Sequence, residues 1–124
     1  MATVKATLTL SSSDITSDVM DVTATESLTL TQGGIMRYSV TGTASGTAYT
    51  LYTANDQSGP VYMYLKNTDT TATDYIYVYT DDSDDTNFIQ LKGGEWAWLT
   101  LNDGATYKVW AATAETVIEY GIFA

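Results

Sequence analysis

Apolar and polar residues alternate along most of this chain, and the alternation is densest after Tyr75. It runs through Asp74-Tyr-Ile-Tyr-Val-Tyr-Thr80, Phe88 to Leu101, Tyr107-Lys-Val-Trp110 and Val117 to Phe123. A period of two marks half-buried β-strands. The first half reads the same way. Val4, Ala6, Leu8 and Leu10 share one face of a strand over Thr3 to Leu10, with Lys5, Thr7 and Thr9 on the other. Val19 to Thr31 predicts one long strand or two short ones, with Val22, Ala24, Leu28 and Leu30 inward and Glu26 at a bulge or edge. Ser13 or Asp14 can cap a helical turn over Asp14 to Asp18, or the stretch is a loop pegged by Ile15.

The breaks between runs have turn chemistry. Gln32-Gly33-Gly34 predicts a turn returning into a strand over Ile35 to Thr41, with Met36, Tyr38 and Val40 on one face. Thr47 to Thr53 predicts a further strand. Asn55 to Pro60 predicts a turn. Val61, Met63 and Leu65 face one way and Tyr62 and Tyr64 the other. Gly93-Gly94 predicts a hairpin between the Phe88 and Trp96 strands. The pattern predicts one all-β domain over 1–124: an antiparallel, jelly-roll-like β-sandwich of roughly eight to ten short strands with little or no helix. A faint internal echo relates Gly46–Ala54 to Gly104–Ala112.

Composition narrows the chemistry. The chain has 124 residues, enough for one core without disulfides or metal. It has no cysteine and no histidine, so thiolate ligands, a cysteine nucleophile and the commonest general base are missing. Acidic residues outnumber basic ones 15 to 5, for a net charge of −10. That sign opposes nucleic acids and anionic membranes as partners. No apolar run is long enough for a membrane-spanning helix, and the start lacks a signal-peptide pattern, so synthesis in a cytoplasm is expected.

Few residues suggest catalysis. Glu95, Asp103, Glu115 and Glu119 are the acids near the later strands, and they read as surface groups rather than a paired-carboxylate hydrolase site. Asp81, Asp82, Asp84 and Asp85 make the only dense acidic cluster, a weak Ca²⁺ candidate that lacks EF-hand spacing. The reading is therefore no enzyme and no cofactor. The aromatic residues are more informative. With Ile76 and Val78 inward, Tyr75, Tyr77 and Tyr79 point out together, as do Tyr62 and Tyr64. Trp96 and Trp98 share one face, opposite Ala97, Leu99 and Leu101. One small core cannot absorb all these rings, and exposed Tyr and Trp mark partner surfaces. Tyr62, Tyr64, Tyr75, Tyr77, Tyr79, Trp96, Trp98 and Trp110 are the expected contact residues.

The last sixty or so residues carry a broader pattern. Phe88-Ile-Gln-Leu-Lys-Gly-Gly-Glu-Trp-Ala-Trp-Leu-Thr-Leu101, Thr106-Tyr-Lys-Val-Trp-Ala-Ala112 and Val117-Ile-Glu-Tyr-Gly-Ile-Phe123 together resemble small β-sandwich virion proteins of tailed bacteriophages. The resemblance implies a capsid decoration (cement) protein, located in the virion, that binds the major capsid protein and itself as a symmetric dimer or trimer. A tail, baseplate or fibre component is the alternative within that class. A carbohydrate-binding module, with tryptophans stacked on sugars, is the alternative outside it. Threonine-rich terminal strands suit pairing with a neighbouring sheet edge.

Overall fold

A computed structural model describes residues 2–14, 20–81 and 87–124. Among them are ten strands: β1 (Ala2–Ser12), β2 (Met20–Leu30), β3 (Ile35–Val40), β4 (Tyr49–Tyr52), β5 (Val61–Asn67), β6 (Ile76–Thr80), β7 (Asn87–Leu91), β8 (Trp96–Leu101), β9 (Tyr107–Ala111) and β10 (Thr116–Phe123). The one helical element among the described residues is a single 3₁₀ turn, Ser45–Thr47. The all-β reading therefore stands, and every strand pair is antiparallel. The capped-turn question over Asp14 to Asp18 falls on residues outside the described set, apart from Asp14, whose carboxylate accepts from the Ser12 hydroxyl at 2.9 Å.

Two compact units emerge, 1–32 and 33–124. The first is a two-stranded ribbon, so β1 and β2 stand in a sheet of their own rather than in the expected single sandwich. Its register runs unbroken from Ala2↔Leu30 to Ser12↔Met20. Glu26 therefore sits opposite Ala6 with no bulge, on a strand that has one paired neighbour. Residues directly opposite share a face. One face carries Val4, Ala6, Leu8 and Leu10 with Val22, Ala24, Glu26 and Leu28. The other carries only threonine, serine, Lys5 and Asp21.

The second unit is a sandwich of two four-stranded sheets, ordered β3-β10-β5-β8 and β4-β9-β6-β7. Every connection from β3 to β10 crosses between the sheets except the β6–β7 hairpin. This is the interleaved wrap of an eight-stranded jelly roll. The two glycine pairs are not the expected hairpins. β3 pairs with β10, not β2, so Gly33-Gly34 is not a return turn. The Lys92–Glu95 turn closes with Glu95 N–H donating to the Lys92 carbonyl at 3.0 Å, and Gly94 adopts φ +88°. It carries the chain from β7 in one sheet to β8 in the other, so it is an inter-sheet corner.

The core follows the predicted alternation. Along β5, Val61, Met63, Leu65 and Asn67 are buried while Tyr62, Tyr64 and Lys66 alternate with them on the other face. Val40, Ile76, Val78, Val109 and Ile118 complete a fully buried cluster. Each such side chain contributes about 1.5–3 kcal/mol relative to exposure. The internal echo falls on two strands of one sheet. The segments it relates, β4 and β9, lie side by side in the second sheet.

Candidate interaction surfaces

Register places four residues in one row across the outer face of the first sheet: Arg37 on β3, Glu119 on β10, Lys66 on β5 and Trp96 on β8. Glu119 is the hub of the row. One carboxylate oxygen accepts from Arg37 Nε at 3.2 Å and the other from the Tyr64 hydroxyl at 3.1 Å. Burial, and then the bond to Glu119, raises the Tyr64 ionisation above its ordinary value. Arg37 is well exposed, so its ion pair adds little stability. Its use is to orient the carboxylate.

The next rows are aromatic. Ile35, Gly121, Tyr64 and Trp98 lie across the sheet, followed by Phe123, Tyr62 and Thr100. Tyr62 stacks on Trp98 with centroids 5.9 Å apart, and Trp98 meets Phe123 at 5.7 Å. Gly121 lets this cluster form. A Cβ there would collide with the Gly34 carbonyl and the Phe123 ring. Trp96 is 52% exposed and Ile35 60%.

The second sheet has its own outer patch. Tyr77 stacks on Trp110 at 4.3 Å, and Tyr75 lies 6.4 Å from Tyr77. The Trp110 indole N–H donates to Asn87 Oδ1 at 3.1 Å. Tyr79 does not join them. It shares their parity on β6, yet it is only 2% exposed, because its hydroxyl donates to the Ser45 carbonyl at 2.8 Å. The segment with the 3₁₀ turn covers it, so Tyr79 is removed from the set of contact residues.

The ribbon presents a third surface. Leu8, Leu10 and Val22 are 42%, 45% and 48% exposed. Leu10 stands directly opposite Val22, and Leu8 opposite Ala24. Val22 was expected inward, but of the apolar residues on β2 only Leu28 and Leu30 are buried.

The acids weighed for catalysis stay apart from one another in role. Glu95 accepts from the Lys92 backbone N–H within its own turn. Glu115 takes a positive φ of 68° at a strand start. Asp103 receives the Tyr52 hydroxyl on its backbone carbonyl. Of the Ca²⁺ candidates, Asp81 pairs with Lys108 at 2.8 Å, and Asp82, Asp84 and Asp85 lie outside the described residues. Among the described residues no group of three acids could hold a metal, and no helix is long and apolar enough to cross a membrane.

The aromatic residues were legible from parity. Arg37, Lys66, Ile35 and Phe123 were missed as surface partners, and Glu119, read as a surface acid, was not joined to them, because their alignment depends on strand order. No protein-family model and no curated protein matches the chain.

Proposed function

We propose that this chain is a non-enzymatic structural protein of a virion, a decoration protein that docks on the major capsid protein and on copies of itself. The observation that carries this reading is the exposed apolar face of the β1–β2 ribbon. A two-stranded ribbon in water is marginal without a further layer. Here about 37 Å of it, from 11 residues per strand, displays Leu8, Leu10 and Val22 on one face. Among the described residues each strand of the sheet pairs only with the other, which suits strand addition by a neighbour.

Three further features fit. The sandwich presents aromatic clusters on both outer faces, as interface surfaces do. The net charge of −10 keeps free copies apart before assembly. The jelly-roll wrap recurs in capsid and lectin domains, which supports the class by analogy of fold alone.

The test is the stoichiometry of purified particles. A decoration protein is present in a fixed ratio to the shell protein. A few copies at the tail point instead to a baseplate or fibre component. Absence from particles removes the virion reading.

A further inference from the structure

An open cleft of about 550 Å³ lies over the Arg37–Glu119–Lys66 row. Its size falls within the roughly 300–1,000 Å³ range of small-molecule sites. Arg37, Lys66 and Glu119 form one side. Asp69, from the β5–β6 loop, and Gly93-Gly94, from the inter-sheet corner, form the other.

The far wall is rigid because Asn67 organises it. Asn67 is fully buried. Its Nδ2 donates to the carbonyls of Asp74 and Leu91, at 2.6 and 3.1 Å. Its Oδ1 accepts from the Asp69 N–H at 3.1 Å. Its backbone N–H donates to Glu95 and its carbonyl accepts from Gly94, each at 2.9 Å. One side chain and its backbone thus tie both loops of the wall to the sandwich. Gly93 fits so closely against the 69–71 backbone that a Cβ would collide with the Thr71 carbonyl. A wall fixed in this way loses little entropy when a ligand binds.

The chemistry of the lining selects the ligand class. Two cations and two carboxylates cancel, so neither an anion nor a metal ion is matched. A phosphate would face Glu119 and Asp69, and a cation would face Arg37 and Lys66. A neutral ligand rich in hydroxyls suits both. Lys66 brings three donors, and each Glu119 oxygen accepts more than the one bond it already holds. Beyond the lining, directly opposite Lys66 in register and on the same face, stands the half-exposed Trp96. An indole offers a flat apolar surface beside polar groups. An apolar ligand would instead desolvate Lys66 and Glu119 without replacing their hydrogen bonds.

We infer that the cleft binds a neutral saccharide, its hydroxyls bonded to Lys66 and Glu119 and one pyranose ring reaching past Lys66 onto the adjoining Trp96 indole. This goes beyond the virion reading and is independent of it. The protein in isolation can be tested, and a negative result leaves the particle stoichiometry untouched.

The experiment is an NMR titration of the full chain with maltotriose, cellotriose and chitotriose in turn. At least one is expected to shift the Trp96 indole and the Gly93 and Gly94 amides saturably, with Kd on the order of 1 mM. Trp96→Ala, an exposed change, should weaken binding at least about tenfold. Lys66→Gln should weaken it less, and Trp110→Ala, in the patch on the other sheet, should leave it unchanged. The inference is overturned if none of the three sugars shifts these resonances, if Trp96→Ala binds as well as the parent, or if inorganic phosphate produces the shifts and the sugars do not.

Discussion

The hydroxyls of Tyr49 and Tyr120 meet 2.7 Å apart inside the sandwich, joining β4 of one sheet to β10 of the other. Tyr38 stacks on Tyr49 at 3.7 Å, so three rings bridge the layers. Burial, and then the bond to Tyr49, raises the ionisation of Tyr120 well above its ordinary value of 10.0. The folded state therefore holds this proton more tightly than the unfolded chain does. The stabilisation is complete below pH 10 and is lost as pH rises beyond it. Thermal melts across alkaline pH should show a fall that is shallower in Tyr120→Phe. At neutral pH that variant should lose about 1 kcal/mol, since the Tyr49 hydroxyl is left without this partner.

Asn67 gives a sharper stability test. Its side chain satisfies two carbonyls and one N–H in a buried setting. Asn67→Ala should cost about 3 kcal/mol in urea unfolding, because the stranded groups lose their partners without regaining water. Asn67→Asp keeps the shape but points oxygen at the carbonyls of Asp74 and Leu91. It should cost as much or more. If Asn67→Asp were neutral, the side chain would be a space-filler and not a hydrogen-bond hub.

Glycine substitutions separate close approach from turn chemistry. Gly121→Ala would drive a Cβ into the Gly34 carbonyl, and Gly93→Ala into the Thr71 carbonyl. Backbone atoms cannot step aside as a flexible side chain can, so each should cost roughly 1–3 kcal/mol by overpacking. Gly46→Ala meets nothing within 4 Å and should be close to neutral. Denaturation midpoints of the three variants check the ranking.

Those glycines also show where the sequence stops being readable. A glycine that a neighbour presses against looks the same in sequence as one that turns the chain. Gly33 lies against the Phe123 ring, and Gly93 against the Thr71 carbonyl, yet both suggested hairpins. Alternation was decisive wherever one face is dry, as along β5, where Val61, Met63 and Leu65 are all fully buried. On β2 it held for Leu28 and Leu30, which are buried, and failed for Val22 and Ala24, because a stretch facing solvent on both sides can keep the same pattern. Parity was correct for Tyr77 and misleading for Tyr79, since a covering loop leaves no periodic trace. The row from Arg37 to Trp96 was out of reach because it spans four strands that are not consecutive in the chain. Each residue's face was legible, but its neighbours were not.

The ribbon supplies the test of assembly. Leu10 and Val22 stand directly opposite each other and both are close to half exposed. Replacing both by threonine keeps β-propensity and removes apolar area. Neither side chain belongs to the buried cluster of the sandwich, so its thermal midpoint should hold within a few degrees. The change should appear in association. The parent chain is expected to scatter light as a dimer or trimer, and the double variant Leu10→Thr, Val22→Thr should shift toward the monomer mass. In particles its occupancy should fall by at least about tenfold, the effect expected when a contact worth about 1.4 kcal/mol or more is lost. Full occupancy and an unchanged oligomer would mean that the apolar face of the ribbon is not a docking surface, leaving the aromatic faces of the sandwich to carry assembly.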